Sequence, residues 1–298
     1  MSRTWFNGNL VDGALAVDRG DRGLLLGDGL FETVLVLNAK PLWGNMHFAR
    51  LEASAHELGI GFDRDVLDDA LEELLDGAPK SHRVLRVTLT RGSGVRGLAA
   101  NGGSPSLLLT LDPFDPALMF RPVALSTTAI RRNPMSLSCR LKTLSYVDNI
   151  AAAREAAAHG MEDALMLNTE GHVACTTIAN IFLLKNGTLV TPARDQGILT
   201  GVTRQTLIHS AAHLGMAAEE RAVAPEELME ADAVFLTNSL RFIRPVTALG
   251  QKPLPQADLT PLVAALCEAA RLQCGHDPRL IWDGAGVKAP AQKETRTP

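Results

Sequence analysis

Apolar positions change their spacing several times along the chain, and each change marks an element. Residues 23–38, GLLLGDGLFETVLVLN, pack apolar and β-branched side chains around a GDG turn and predict one long strand. From Asn45, read as an N-cap, Met46, Phe48, Leu51 and Leu58 recur at near-helical spacing, predicting a helix that carries Arg50 and stops at Gly59 and Gly61. A second helix is predicted over 65–75, with acidic residues in its first turn where the helix dipole favours them. Two strands, 83–90 and 106–111, flank the loop RGSGVRGLAANGGSP. Together these predict an α+β unit over residues 1–112.

Residues 113–122 hold three prolines and no periodicity, which predicts a linker. The second half starts with an extended run, 123–130, and reaches an alanine-rich helix at 146–159, ended by Gly160. Short strands are predicted at 164–168, 172–175, 180–184 and 188–190, followed by an amphipathic helix at 201–214 and a short one at 226–229. A strand at 233–237 and a closing helix at 259–272 complete a second unit, 123–274. The remainder, 275–298, is rich in Pro, Lys, Gln and Thr and predicts a frayed tail.

A chain of 298 residues, 46% hydrophobic, is long enough for two cores. Its net charge of −4, with both signs interspersed and no basic block, argues against nucleic acid and anionic membranes as partners. No uncharged apolar run approaches the roughly 20 residues that span a bilayer, and the first residues lack an apolar secretion core. The expectation is a soluble cytoplasmic protein acting on small molecules. Cys139, Cys175, Cys267 and Cys274 have no zinc-type spacing and are too few for a disulfide framework; the last two, a heptad apart, are expected to pack within a helix.

Candidate chemistry centres on Lys142, in RLKTLSYVDN between an extended run and the alanine-rich helix. An amine withdrawn from water loses hydration of its charged form and becomes a nucleophile toward aldehydes, pyridoxal phosphate being the obvious one. Residues 92–97, GSGVRG, match a dinucleotide-binding fingerprint, but LAANGGSP after them cannot open the helix that a pyrophosphate needs. Arg91 and Arg96 in that loop can still fork onto a carboxylate. His209 and His213 share a helix face, yet no third ligand accompanies them, so no metal is expected. Residues 197–204, GILTGVTR, run a glycine turn into a helix whose first amides and the Thr203 hydroxyl suit a phosphate, and LTNS at 236–239 could close the same cup.

With these motifs in order, the chain resembles class IV, fold-type IV pyridoxal-phosphate enzymes, the group of branched-chain and D-amino-acid aminotransferases and aminodeoxychorismate lyase. The resemblance runs from Phe6 to about Ala270 through GDGLFET, HFARL, RGSGVRG, LKTLSY, GHVACTTIANIF, TPARDQGILTGVTR and LTNSLRFIRPV. It implies an α+β fold with a small N-terminal domain, a larger domain around a β-barrel, the cofactor between them, and a homodimer. It makes Lys142 the Schiff-base lysine and acid–base group. It assigns the phosphate to Arg50, Val202, Thr203, Ser239 and Leu240, the phenolic oxygen of the cofactor to Tyr146, and the substrate to Phe31, Glu32 and Arg96.

One position departs from the family pattern. Where that pattern has a glutamate that keeps the pyridine nitrogen protonated, this chain has Cys175, whose thiol, with an ordinary pKa of about 8.5, supports a protonated ring poorly. Three readings follow: an aminotransferase for branched-chain or D-amino acids, an aminodeoxychorismate lyase that eliminates pyruvate to give 4-aminobenzoate, and a homologue with little or no catalysis.

Overall fold

The computed structural model describes residues 2–78, 81–99 and 103–281. In the first half a six-stranded antiparallel sheet runs in the order Asn9–Val11, Arg3–Phe6, Ser106–Pro113, Arg83–Thr90, Gly29–Leu37, Lys40–Pro41. Gly29–Leu37 is buried along nearly its whole length because both of its faces are covered. Leu30, Val34 and Val36 face a core shared with Phe48, Leu51 and Ala55 of the helix Gly44–Leu58 and with Leu67 and Leu74 of the helix Arg64–Leu75. Leu35 and Leu37, on the opposite face by the two-residue alternation of a strand, join the core of the second half. This strand is therefore the wall common to both halves, and Phe31 and Thr33 share the face turned toward the second.

The second sheet follows the path Ala218–Arg221, Thr188–Pro192, Asn180–Lys185, Ala233–Asn238, Phe242–Leu249, Val123–Thr127, Asp163–Leu167, Val173–Thr176, with Lys252–Pro253 paired off it. Its last strand comes back toward Asn180–Lys185 and Thr188–Pro192, so the sheet curls into a half-barrel. Val123, Leu165, Ile181, Val234 and Val246 fill it. The helices Val202–His213 and Thr260–Cys274 pack outside, burying Leu207, Leu262, Leu266 and Cys267. The α+β architecture is the expected one. Among the described residues no helix is long and apolar enough to cross a membrane.

Several boundaries differ from the sequence expectation. The predicted strand 23–38 is split: Asp21 Oδ1 accepts from the amides of Gly23 and Leu24 and caps a short helix, Arg22–Leu26, which Gly27 ends with φ 67° before the strand starts at Gly29. A local cap outcompetes the apolar run there, leaving Leu24, Leu25 and Leu26 exposed. The helix at 44–58 is entered through Trp43 in the left-handed region, φ 53°, and Asn45 is already inside it. The stretch 113–122 is packed rather than solvated, with Phe114, Met119 and Phe120 buried against Leu35, Phe182 and Phe242. The tail is ordered as far as residue 281, where Asp277 caps the turn Pro278–Leu280 and Ile281 is buried; the rest of the predicted tail lies outside the described residues. Strands at Arg3–Phe6, Ala218–Arg221 and Phe242–Leu249 carry no clear apolar alternation and escaped the sequence reading.

Candidate active site

Lys142 lies between the short helix Leu137–Arg140 and the helix Val147–Ala158, on a segment zipped to the common wall. The amide of Phe31 donates to Lys142 O at 2.9 Å, and the amide of Leu144 donates to Gly29 O at 2.9 Å. The side chain is fixed as well: Nζ donates to Tyr146 Oη at 3.4 Å and sits 4.2 Å from the Phe31 ring centroid, the two rings meeting edge to face at 5.0 Å. The amine projects into a cavity of about 290 Å³ lined also by Arg50, Arg132, Cys175, Val202 and Thr237.

One end of the cavity is an anion cup. Gly201 precedes Val202–His213 without any side-chain cap, so the first amides of that helix keep their donors free for a ligand. Thr203 Oγ1 and Thr237 Oγ1 are buried with no hydrogen-bond partner among the described residues, an arrangement that costs about 1–3 kcal/mol each unless a ligand supplies the partner. A Cβ at 201 would lie 2.3 Å from Asn180 Oδ1, so a larger residue there has to displace that side chain, whose Nδ2 donates to Leu199 O at 2.8 Å and so sets the approach to the helix. Arg50 reaches the same end and donates through Nη1 to Thr200 O at 2.8 Å. Two orphaned hydroxyls, a helix start and a guanidinium fit a phosphate monoester. An uncapped helix start with two orphaned hydroxyls and an amine thus share one cavity, the pair of features that pyridoxal phosphate requires.

Glu32 does not face the substrate. Position 32 has the opposite parity to Phe31, so its side chain enters the helix-covered core, where it is 1% exposed. Arg50 grips it through Nε at 2.7 Å and Nη2 at 2.6 Å, and His47 Nδ1 lies 2.8 Å from Oε2. Burial alone pushes this carboxyl up; attraction to Arg50 and hydrogen bonds from His47 and Arg50 outweigh it and hold the pKa down at about 2. Burial lowers the pKa of His47 against the pull of Glu32, so the ring is neutral, with Nδ1–H donating to the carboxylate and Nε2 left to accept from Ser239 Oγ at 3.3 Å. Glu32 is the anchor of Arg50, and Ser239 enters this chain of bonds through its hydroxyl. Leu240 also departs from expectation: its amide donates to Asn238 Oδ1 at 3.1 Å and is engaged within the turn, although its residue lines the cavity.

Cys175, on Val173–Thr176, lines the cavity as expected, and burial pushes its thiol up to about 11. Arg132 shares that wall. Its buried guanidinium donates to Gly197 O at 3.3 Å, Asn149 Oδ1 at 3.2 Å and Cys139 O at 3.0 Å, all neutral acceptors.

Arg91 is not free for a ligand: Nε and Nη2 donate to Asp28, and the guanidinium also donates to Leu58 O and Gly59 O. Arg22 shares Asp28 and donates to Gly97 O and Leu98 O, so the pair fixes the loop after Thr90. Arg96 is exposed on that loop and does not line this cavity. The His209 and His213 rings meet edge to face at 4.7 Å on an exposed helix face, and no metal-holding cluster occurs among the described residues. A residue that sequence reasoning did not single out is Arg86, which is exposed at the edge of the cavity wall and does not itself line the cavity. Its register partner is Thr33 of the cavity wall, its Cζ lies 4.0 Å from the Phe31 ring centroid, and among the described residues its guanidinium has no hydrogen bond or ion pair. With Arg83 it is one of two charges in an otherwise apolar and hydroxyl-bearing strand, which was the available signal.

Residues 29–249 match the profile of the family described as Amino-transferase class IV. The chain belongs to that family. Its members use pyridoxal phosphate. A putative branched-chain-amino-acid aminotransferase of Methanocaldococcus jannaschii is 32% identical over 82% of this chain and 86% of its own. A D-alanine aminotransferase of Bacillus licheniformis is 30% identical over 82% and 87%. The solved structure of a putative 4-amino-4-deoxychorismate lyase from Legionella pneumophila is 35% identical, with a TM-score of 0.80 over 86% of this chain and 96% of that one. The class IV aminotransferase fold and cofactor chemistry thus agree with the seven motifs.

Proposed function

We propose that this class IV enzyme transfers an amino group between an amino acid, of branched-chain or D type, and a 2-oxo acid, in the cytoplasm and as a homodimer. The observation that carries this reading is the joint placement, in one cavity, of the Lys142 amine and an anion cup with two unsatisfied threonine hydroxyls. When bound, pyridoxal phosphate supplies an aldehyde for amines and a conjugated ring that accepts electron density. Lys142 binds it and moves a proton at the substrate α-carbon. Tyr146 accepts a hydrogen bond from Nζ and fixes where the amine points. The amides of Val202 and Thr203, with the spare N–H groups of Arg50, hold the phosphate. Phe31 walls off water. Arg86 takes a substrate carboxylate, since its guanidinium lies over the same Phe31 ring as Lys142 Nζ and has no hydrogen bond or ion pair among the described residues.

In this reading the cofactor lies between units 1–112 and 123–274, joined by 113–122. The dimer reading is supported by an apolar fringe: Leu24, Leu25, Leu26, Leu98 and Val147 are exposed. Arg22 bonds to the carbonyls of Gly97 and Leu98, and a Cβ on Gly27 would touch Ser145, so these segments are neighbours. The cytoplasm suits four buried, unpaired cysteines.

The test is optical and chemical. The purified protein should carry a visible absorbance band that Lys142→Ala removes, and donor amino acids with a keto acid should give new amino acid. A colourless protein that ignores added cofactor sinks the enzyme readings. A second reading, aminodeoxychorismate lyase, is favoured by Cys175 and by the Legionella likeness; 4-aminobenzoate with pyruvate, and no transamination, would establish it instead.

A further inference from the structure

We infer that Cys175 and Arg132 together hold the pyridine nitrogen of the bound cofactor in its neutral, unprotonated form. The inference rests on the cofactor reading above and goes beyond it, because it fixes the charge state of the ring from residues of this chain.

The two side chains line the same wall, and their backbones are tied to one strand. Met166 of Asp163–Leu167 is the register partner of Cys175, and the amide of Arg132 donates to Leu167 O at 2.9 Å while Arg132 bridges Asn168. A protonated ring nitrogen needs an anion beside it. The thiol is a neutral S–H group here: it is packed with Ala152, Ala156, Ala164, Met166 and Ile198, and this burial raises its pKa in spite of the opposing pull of Arg132. Arg132 is a buried guanidinium whose acceptors among the described residues are all carbonyl oxygens. It therefore opposes a second positive charge at that end of the cavity.

The nearest buried carboxylate does not reverse this. Asp163 Oδ1 accepts from the amides of Ala164 and Thr177 and from Thr177 Oγ1 at 2.6 Å, and Asp163 does not line the cavity. The other carboxylate in contact with the cavity's residues, Glu32, is consumed by Arg50 and His47 on the opposite wall. The S–H of Cys175 is left as a donor to the nitrogen lone pair. A neutral ring draws less electron density from the substrate α-carbon. Amino transfer through such a ring is slower, while an elimination, which sends the electron pair out with a leaving group, is less affected.

The test loads the full-length protein with pyridoxal phosphate labelled with ¹⁵N in the ring and records the nitrogen resonance between pH 6 and pH 8. The expected result is a neutral-pyridine signal in the wild type and a pyridinium signal in Cys175→Glu. As a second measurement, the 1-deaza analogue, which has carbon in place of the ring nitrogen, should bind the wild type within a few-fold of the true cofactor and bind Cys175→Glu much more weakly. A pyridinium signal in the wild type overturns the inference and leaves the cofactor reading intact. A wild-type chain that takes up labelled cofactor at no site attached to Lys142 overturns both. If Cys175→Glu does not fold, the wild-type resonance still decides.

Discussion

Glu32→Gln should remove a defined part of the protein's resistance to acid. In the folded chain the Glu32 carboxyl is held down at about 2, against an ordinary 4.5, by Arg50 and His47 in spite of its burial. Each pKa unit is worth about 1.4 kcal/mol, so the depression contributes about 3 kcal/mol of stability. The sign follows from proton binding. Between pH 4.5 and pH 2 the unfolded chain holds a proton on Glu32 that the folded chain refuses, so this stability is complete above about pH 5 and lost as pH falls toward 2. Glutamine cannot ionise and offers one acceptor oxygen where Arg50 and His47 use two. At neutral pH Glu32→Gln should therefore be less stable by about 3 kcal/mol, in line with the cost of leaving one partner of a buried pair uncompensated. The assay is urea denaturation at a series of pH values from 7 to 2.5, wild type against variant. Their difference should shrink toward zero at the acid end. Parallel curves, with the same gap at every pH, would refute the assignment of the pKa shift to this carboxyl.

Other outcomes follow from single atoms. Gly201→Ala puts a methyl 2.3 Å from Asn180 Oδ1, and the resulting shift of about 1–3 kcal/mol should weaken cofactor binding, read by absorbance titration, while the circular dichroism spectrum stays unchanged. Unaltered affinity would mean the turn relaxes freely. Arg86→Met should raise KM for the amino donor about 10- to 100-fold, since hydrogen bonds from a charged donor are worth about 1.5–3 kcal/mol, with stability altered by no more than about 0.5 kcal/mol. A normal KM would remove Arg86 from the substrate site.

The parts of the site that were legible in the sequence are those whose chemistry is local. A glycine turn opening an uncapped helix at 201–203 leaves its first amides free wherever it is placed, and Lys142 is marked by an isolated amine among six companion motifs. Elements held by tertiary bonds were not legible. Phe242–Leu249 contains Arg244, buried because Nη2 donates to Glu162 at 2.7 Å and Nε donates to Arg121 O at 2.6 Å, partners that no periodicity reveals. Ala218–Arg221 is a polar edge strand whose parallel pairing with Thr188–Pro192 needs only backbone. The prolines of 113–122 read as a linker because rigidity looks alike in a solvated crossing and in one buried around Phe114 and Phe120.

Glu32 was misread for a different reason, and the reason was available. Adjacent residues of a strand point to opposite faces, so Phe31 and Glu32 could not both meet the substrate once Gly29–Leu37 was read as extended. The aromatic ring took the cavity, and the carboxylate went to the helix that carries Arg50. The same parity places Thr33 on the cavity side with Arg86 as its register partner, and so supplies the cation that the motif comparison passed over. Cys175 shows the limit of such reasoning. Its difference from the family pattern is visible in the sequence, but its effect on the ring depends on Arg132, 43 positions earlier in the sequence, and on the absence of any carboxylate on that guanidinium among the described residues. The charge of the electron sink is thus set by a contact between segments, and the reaction that Lys142 can drive is decided by the wall opposite it.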